Sequence, residues 1–213
     1  MSMKLRLMLA CVISIVPGNF LRVQLYRLAL GYRITGASIG WRTVIAVKDC
    51  TLDRCLLGRN NLFYEPMSMR IGAGANMGHR NQFICGEWAK DDQYARRLVI
   101  GAGCLVTSEH YFDVAGAFDL GDGSWIGGCR SQFWTHGPGA DDRDISIGQR
   151  CYLGSGVMFA PGAAIGDNTI VAMGSVVTRT FAERDVMVAG QPARVVRTQY
   201  DWKTKQRVAL MTA

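Results

Sequence analysis

Histidine is scarce in this chain: His79, His110 and His136 are the only three in 213 residues. Any mechanism that needs imidazole has few candidates. No C-x-x-C pair occurs among the seven cysteines, whose odd number and scatter argue against a disulfide framework and a structural zinc site. A reducing cytoplasm is the compartment this usage predicts, and Cys151 reads as a small hydrophobe at a corner. No apolar run is long enough to span a bilayer, which takes about 20 residues. The run Leu7 to Val16 stops at Pro17-Gly18, and no small-x-small cleavage site follows it to suggest an exported leader. There is no long basic run either, despite a net charge of +7. Basic residues gather instead in the first 33 positions (Lys4, Arg6, Arg22, Arg27, Arg33) and near the end (Arg179, Arg184, Arg194, Arg197, Lys203, Lys205, Arg207). Two separate anionic contacts fit this pattern better than a nucleic-acid stripe, so no nucleic-acid partner is expected.

What the chain does have is glycine, 25 residues of it, and a period. An aliphatic or aromatic residue returns every six positions at Ile147, Leu153, Phe159, Ile165, Val171 and Val177. Small residues follow at Gly148, Gly154, Ala160, Gly166 and Ala172, with Thr178 ending the series. Four positions on from the first five anchors, Cys151, Val157, Ala163, Thr169 and Ser175 are again small or β-branched. Six matches neither the two-residue period of a strand nor the 3.6-residue period of a helix. It fits short strands joined by tight corners, the hexapeptide signature of a parallel β-helix. Weaker anchors run back through Ile126-Gly127, Leu120-Gly121, Ile100-Gly101, Ile71-Gly72 and Leu57-Gly58 to Ile39-Gly40. Three units make one triangular coil, so residues 34 to 190 allow roughly eight coils. At about 4.8 Å per layer the rod is on the order of 40 Å long.

The predicted organisation is therefore all-β: an N-terminal amphipathic helical segment over 1–33, a β-helix over 34–197 and a C-terminal extension over 198–213. The segment Phe20 to Leu28 mixes arginines with apolar residues at helical spacing, so it can cap the end of the β-helix or lie on a membrane surface. Two stretches break the period and are expected to leave the wall: Lys90 to Arg97 and Trp134 to Asp144. A repeat that pauses and resumes has accommodated an insertion, often one that binds something. The second insertion carries His136. Neutral imidazole on a rigid wall suits a general base at cytoplasmic pH.

Ile165-Gly-Asp-Asn-Thr-Ile-Val-Ala-Met-Gly-Ser-Val-Val-Thr-Arg179, with Val188-Ala-Gly-Gln-Pro-Ala-Arg-Val-Val196, resembles the C-terminal signature of the hexapeptide-repeat acyltransferases. This family includes galactoside, maltose, serine and chloramphenicol acetyltransferases and many polysaccharide O-acetyltransferases. The resemblance covers roughly residues 100 to 197. It implies a left-handed β-helix, a homotrimer, acetyl-CoA lying between subunits, and no metal. It implies that His136, one coil before Tyr152-Leu153-Gly154-Ser155, is the base that deprotonates the acceptor. It further implies an oxyanion donor in the Ser155 N–H, coenzyme contacts at Gly154, Met173, Gly174, Arg179 and Arg194, and acceptor contacts at Glu109 or His110. The two arginines can equally be solvated surface residues, His110 a hydrogen-bonded corner residue, and Trp134 a sugar platform or loop packing. Asp141, Asp142 and Asp144 are expected to solvate the loop, with one of them able to orient His136.

The N-terminus and the short histidine loop depart from the small soluble family members. Both favour O-acetylation of sugars in surface-polysaccharide assembly, with a small-molecule or lipid-linked acceptor, in the cytoplasm or on the inner face of the membrane through residues 1–30. Amino-sugar N-acetylation and a silent scaffold remain the alternatives. A γ-type carbonic anhydrase needs two of its histidines close in sequence, and spacings of 31 and 26 residues do not supply them.

Overall fold

The computed structural model describes residues 1–86, 89 and 94–204. The chain winds as a left-handed parallel β-helix with three walls. One wall stacks eight parallel strands, from Ser38–Ile39 through Leu56–Leu57, Asn76–Met77, Leu105–Val106, Trp125–Ile126, Tyr152–Leu153 and Ile170–Val171 to Met187–Gly190. Ala193–Arg197 then turns back antiparallel on the last of them. The other two walls share the long strands Val44–Asp53 and Leu62–Ile71, which bend from one wall into the next.

In-register stacking puts equivalent residues of successive coils directly over one another, and the core exploits this with a phenylalanine column. Phe63, Phe83, Phe112, Phe133 and Phe159 are all fully buried. Their ring centroids lie 4.6, 4.2, 4.7 and 5.3 Å apart in turn. These spacings are those of the strand layers themselves, so ring stacking and backbone pairing reinforce each other. The small residues after each anchor are demanded by the same stacking. A Cβ on Gly154 would lie 2.7 Å from the Met173 backbone N, and one on Gly148 2.7 Å from the Asp167 N.

The interruption at 90–97 differs in its end point from the sequence reading. Arg97 is already back in the wall, paired with Ser68 and Ala117, because Arg97 to Ile100 resumes the strand alternation with Leu98 and Ile100 inward. Lys90, Asp91, Asp92 and Gln93 lie outside the described residues.

Two helices stand before the first coil: α1 (Met3–Ser14) and α2 (Asn19–Leu30). Ser2 caps α1 by accepting from the Leu5 N–H. Pro17-Gly18 separates the two, and Gly31, at φ +72, ends α2 in the left-handed conformation that glycine adopts freely. Their inner faces cap the open edges of the coil. The Tyr26 hydroxyl donates to the Thr43 carbonyl at 2.9 Å and accepts from the Ile45 N–H at 3.2 Å. Tyr32 does the same for Val47. Arg22, buried, donates Nε and Nη2 to the Ile39 carbonyl, and Asn19 accepts from the Ile39 N–H. These side chains stand where a further strand would, so the edge groups are satisfied and the edge is closed to pairing. At the other end of the chain Trp202 packs on Trp125 and Tyr152 and donates Nε1–H to the Arg150 carbonyl.

Among the described residues no helix is long and apolar enough to cross a membrane, and no group of three or more His, Cys, Asp or Glu is placed to hold a metal ion. All seven cysteines are free. Cys151 is fully buried, and burial pushes its thiol up to about 11, consistent with a corner hydrophobe.

Candidate active site

Strand Tyr111–Asp113 pairs with Gln132–Phe133 on the next coil, Phe112 over Phe133. Asp113 follows the buried phenylalanine, and Trp134, Thr135 and His136 follow its partner. This register brings Asp113 to His136 across 23 positions of sequence. Asp113 is 3% exposed and accepts three hydrogen bonds at one oxygen, Oδ2. They come from the Thr135 N–H at 2.9 Å, the Thr135 hydroxyl at 2.9 Å and His136 Nδ1 at 2.7 Å. A carboxylate only accepts, so Nδ1 carries the proton and Nε2 is the basic nitrogen of the ring. The His136 side chain keeps 37% of its surface exposed.

The carboxylate on Nδ1 is thus Asp113's, from the preceding coil, rather than one of the loop's own. Asp144 accepts from the Ala117 N–H at 2.8 Å and so anchors the end of the loop to the wall. Sequence reasoning missed Asp113 because the contact runs between coils, not along the chain. The coil register would have found it, since the phenylalanine column aligns Phe112 with Phe133 and so sets an acid beside the start of the histidine loop.

Trp134 is half-buried beside this pair. Its Nε1–H donates to Gln132 Oε1, and its ring lies 5.0 Å from Tyr111 and 6.1 Å, edge-on, from His136. Tyr111 and Trp134 thus form an aromatic ledge next to the imidazole.

His110 is a correction to the acceptor-contact expectation. It is 1% exposed, inside the coil. It is one rung of a polar column in which each side chain accepts the backbone N–H of the next coil: Thr43 from Asn61, Asn61 from Asn81, Asn81 from His110, and His110 Nδ1 from Ser131. With Nδ1 accepting, Nε2–H donates to the Thr107 hydroxyl oxygen at 2.9 Å. Burial drives the ring's pKa down to about 4, and a proton on Nδ1 would also face the Ser131 N–H. Glu109 sits at φ +65 on the same corner and pairs with Arg80, whose guanidinium holds the Glu109 carboxyl below its ordinary range. His79 is exposed, and its Nδ1 accepts from the Arg59 N–H.

One coil on from His136's own, the Ser155 hydroxyl is spent on Cys129, accepting from its N–H at 2.9 Å and donating to its carbonyl at 3.1 Å. The Ser155 carbonyl accepts from Gly174. Its own N–H makes no hydrogen bond to any described residue. Gly156 and Gly174, at φ +66 and +67, have open space where a Cβ would stand, and Met173 is 77% exposed. The backbone at these corners is open to close approach by a thin ligand. Gln191 Nε2–H donates to the Gly174 carbonyl beside them. Arg179 is exposed and lies over the Phe181 ring at 4.7 Å; Arg194 is exposed on the antiparallel return strand.

Residues 144–179 match the bacterial transferase hexapeptide (six repeats) family model. The galactoside O-acetyltransferase of Escherichia coli is 43% identical over 53 residues, covering 25% of this chain and 26% of that protein. WbbJ, an Escherichia coli protein named for O-acetyl transfer in lipopolysaccharide biosynthesis, is 39% identical over 61 residues, 29% of this chain and 30% of its own length. The chain thus spans less than a third of either relative. In structure, a hexapeptide-repeat containing acetyltransferase from Vibrio cholerae covers 93% of this chain and 90% of its own at 18% identity, with a TM-score of 0.50. Repeat, coil and matches agree: residues 144–179 carry the bacterial transferase hexapeptide repeat, and the fold is that of the left-handed β-helix acetyltransferases.

Proposed function

We propose that the chain is an acyl-CoA-dependent O-acetyltransferase that moves an acetyl group from acetyl-CoA to a sugar hydroxyl, with His136 as general base. The observation that carries this reading is the 2.7 Å contact from His136 Nδ1 to the buried Asp113 carboxylate. Asp113 sets the tautomer and ring orientation and stabilises the imidazolium that forms. Nε2 takes the hydroxyl proton as the acceptor oxygen attacks the thioester carbon, and returns a proton to the departing thiolate as the C–S bond breaks. The Ser155 N–H donates to the carbonyl oxygen as negative charge develops on it. Met173 and Gly174 border the pantetheine, while Arg179 and Arg194 meet the phosphates. The ledge of Tyr111 and Trp134 suits the apolar face of a sugar ring.

The galactoside O-acetyltransferase similarity supports a sugar acceptor, and WbbJ supports a surface polysaccharide. A homotrimer, with the coenzyme between subunits, and a cytoplasmic location complete the reading. The test is acetyl-CoA turnover with sugars that differ only in carrying a hydroxyl or an amine at the accepting carbon. The wild type is expected to acetylate the hydroxyl form, and His136→Ala to lower kcat by roughly 10²–10⁴ while binding acetyl-CoA as before. Undiminished turnover in the variant would remove His136 from the role, and transfer to the amine alone would change the acceptor class.

A further inference from the structure

The two N-terminal helices are half used. Their inner faces close the first coil, but the outer faces carry large apolar side chains in the open: Leu5, Met8 and Val12 on α1 with Ile15 at its C-cap, and Phe20, Leu21, Leu25 and Leu28 on α2. Phe20 is 71% and Leu28 82% exposed. At 100° per residue the four α1 side chains fall within an arc of about 80°, and those of α2 within about 140°. Trp41, half exposed, follows the first strand of the coil, and the backbone N–H of Arg42 beside it donates to the Ser14 carbonyl at the end of α1. An open groove of about 540 Å³ continues this surface, lined by Val12, Ile15, Val44 and Leu62 together with Arg42 and Asn60.

Charge selects the occupant. The first acidic residue of the chain is Asp49. Before it stand seven cations, of which Arg6 and Arg22 are spent on the carbonyls of Val47, Ile39 and Val16. Lys4, Arg27, Arg33, Arg42 and Lys48 remain exposed. On α2, Arg27 lies about 20° from Phe20 around the helix, and on α1 Lys4 borders the Ile15 side of its stripe. A second copy of the chain would bring these same cations together with no carboxylate among them. A surface of anionic lipid offers both an apolar layer for the stripes and phosphates for the cations.

We propose that the outer faces of α1 and α2, with Trp41 and Arg42, form a docking surface for an anionic phospholipid bilayer. The helices lie flat in the interface, with aliphatic and aromatic side chains inserted and arginines at the headgroups. The cap and the anchor are then opposite faces of the same two helices. This inference does not depend on the acyl-transfer reading.

The experiment is co-sedimentation of the full chain with vesicles of phosphatidylcholine alone and of phosphatidylcholine with phosphatidylglycerol. Binding to the anionic vesicles, weakened by salt, is expected, with little binding to the neutral ones. Phe20→Glu/Leu28→Glu should weaken it by about tenfold or more without altering thermal unfolding or turnover of a soluble acceptor, since both side chains stand largely in solvent. Lys4→Ala/Arg27→Ala/Arg42→Ala, which leaves the apolar stripes intact, should weaken binding to the anionic vesicles only. Failure of the wild type to sediment with anionic vesicles overturns the proposal. So does undiminished binding by either variant. Self-association without lipid that Phe20→Glu/Leu28→Glu abolishes would give the face to a second copy and overturn it equally.

Discussion

His110 and His136 flank a pair of stacked strands on neighbouring coils, one at the entry to Tyr111–Asp113 and the other at the exit from Gln132–Phe133. At the entry the hexapeptide turn is unbroken, so the side chain points inward, is 1% exposed, and has both ring nitrogens hydrogen-bonded, Nδ1 to Ser131 in the column and Nε2 to Thr107. At the exit the repeat pauses for the histidine loop. His136 there keeps more than a third of its side chain exposed and meets a buried carboxylate from the preceding coil. The same residue type is thus a rung where the period holds and a half-exposed, carboxylate-paired imidazole where it lapses. The continuous wall makes stability, and the interruption makes the candidate site.

Exchanging damage between the two histidines is the strongest way to break this contrast. With sugar-acceptor turnover as the readout, His136→Ala should lower kcat by roughly 10²–10⁴ and cost less stability than His110→Ala, because buried Asp113 keeps the Thr135 N–H and hydroxyl. Asp113→Asn should lower kcat by on the order of 10² or more, since an amide can donate to Nδ1 and favour the wrong tautomer. It should also lower stability modestly, because the Thr135 N–H and hydroxyl share that oxygen. A kcat equal to wild type in Asp113→Asn would leave the carboxylate a structural role only.

His110→Ala should act the other way, costing about 2–4 kcal/mol of stability in denaturant melts with kcat per folded molecule unchanged. His110→Asn supplies the sharper test. Asn61 and Asn81 already fill that column position on earlier coils, so asparagine should recover most of the loss. If alanine and asparagine destabilise equally, the column is not what holds the coil.

How much of this was legible in the sequence follows from whether a contact runs along the chain or across coils. The period exposed the wall, the corners and the place of the interruption, because each repeats a local pattern. His136 stood out because it lies in that interruption and histidine is rare. Asp113 did not, because its approach depends on the number of residues in a whole coil, and insertions make that number vary. The column of Thr43, Asn61, Asn81, His110 and Ser131 is hidden for the same reason: its members are spaced 18, 20, 29 and 21 apart. The N-terminal helices were readable as amphipathic. The partition of their arginines was not, and Arg22, which by spacing could snorkel at a membrane, instead closes the edge strand at Ile39.

Acidification should separate the two histidines as well. The His110 pKa lies near 4 in the fold against about 6.5 when unfolded, so between these values the unfolded chain binds a proton that the fold refuses. Stability is fully retained above about pH 6.5, falls as the pH drops towards 4, and levels below it, by about 3 kcal/mol in all. His110→Asn should remove this component from the pH dependence of unfolding. A slope the same as wild type in that variant would mean that the proton binds elsewhere.

The smallest effect belongs to the regular side of the comparison, where the coils past the interruption are proposed to hold the coenzyme. Arg194 is exposed on the return strand opposite Ala189, so its attraction for phosphate acts through water and is screened. A surface pair of this kind is worth about 0.2–1 kcal/mol, which predicts a rise of no more than about fivefold in the acetyl-CoA KM of Arg194→Ala, with kcat held. Screening gives the measurement an internal control. The difference between variant and wild type should shrink as salt is raised, whereas the deficit of His136→Ala, which lies in proton transfer, should not. A KM indifferent to the substitution at low salt would return Arg194 to the solvated surface and leave the phosphates to other groups.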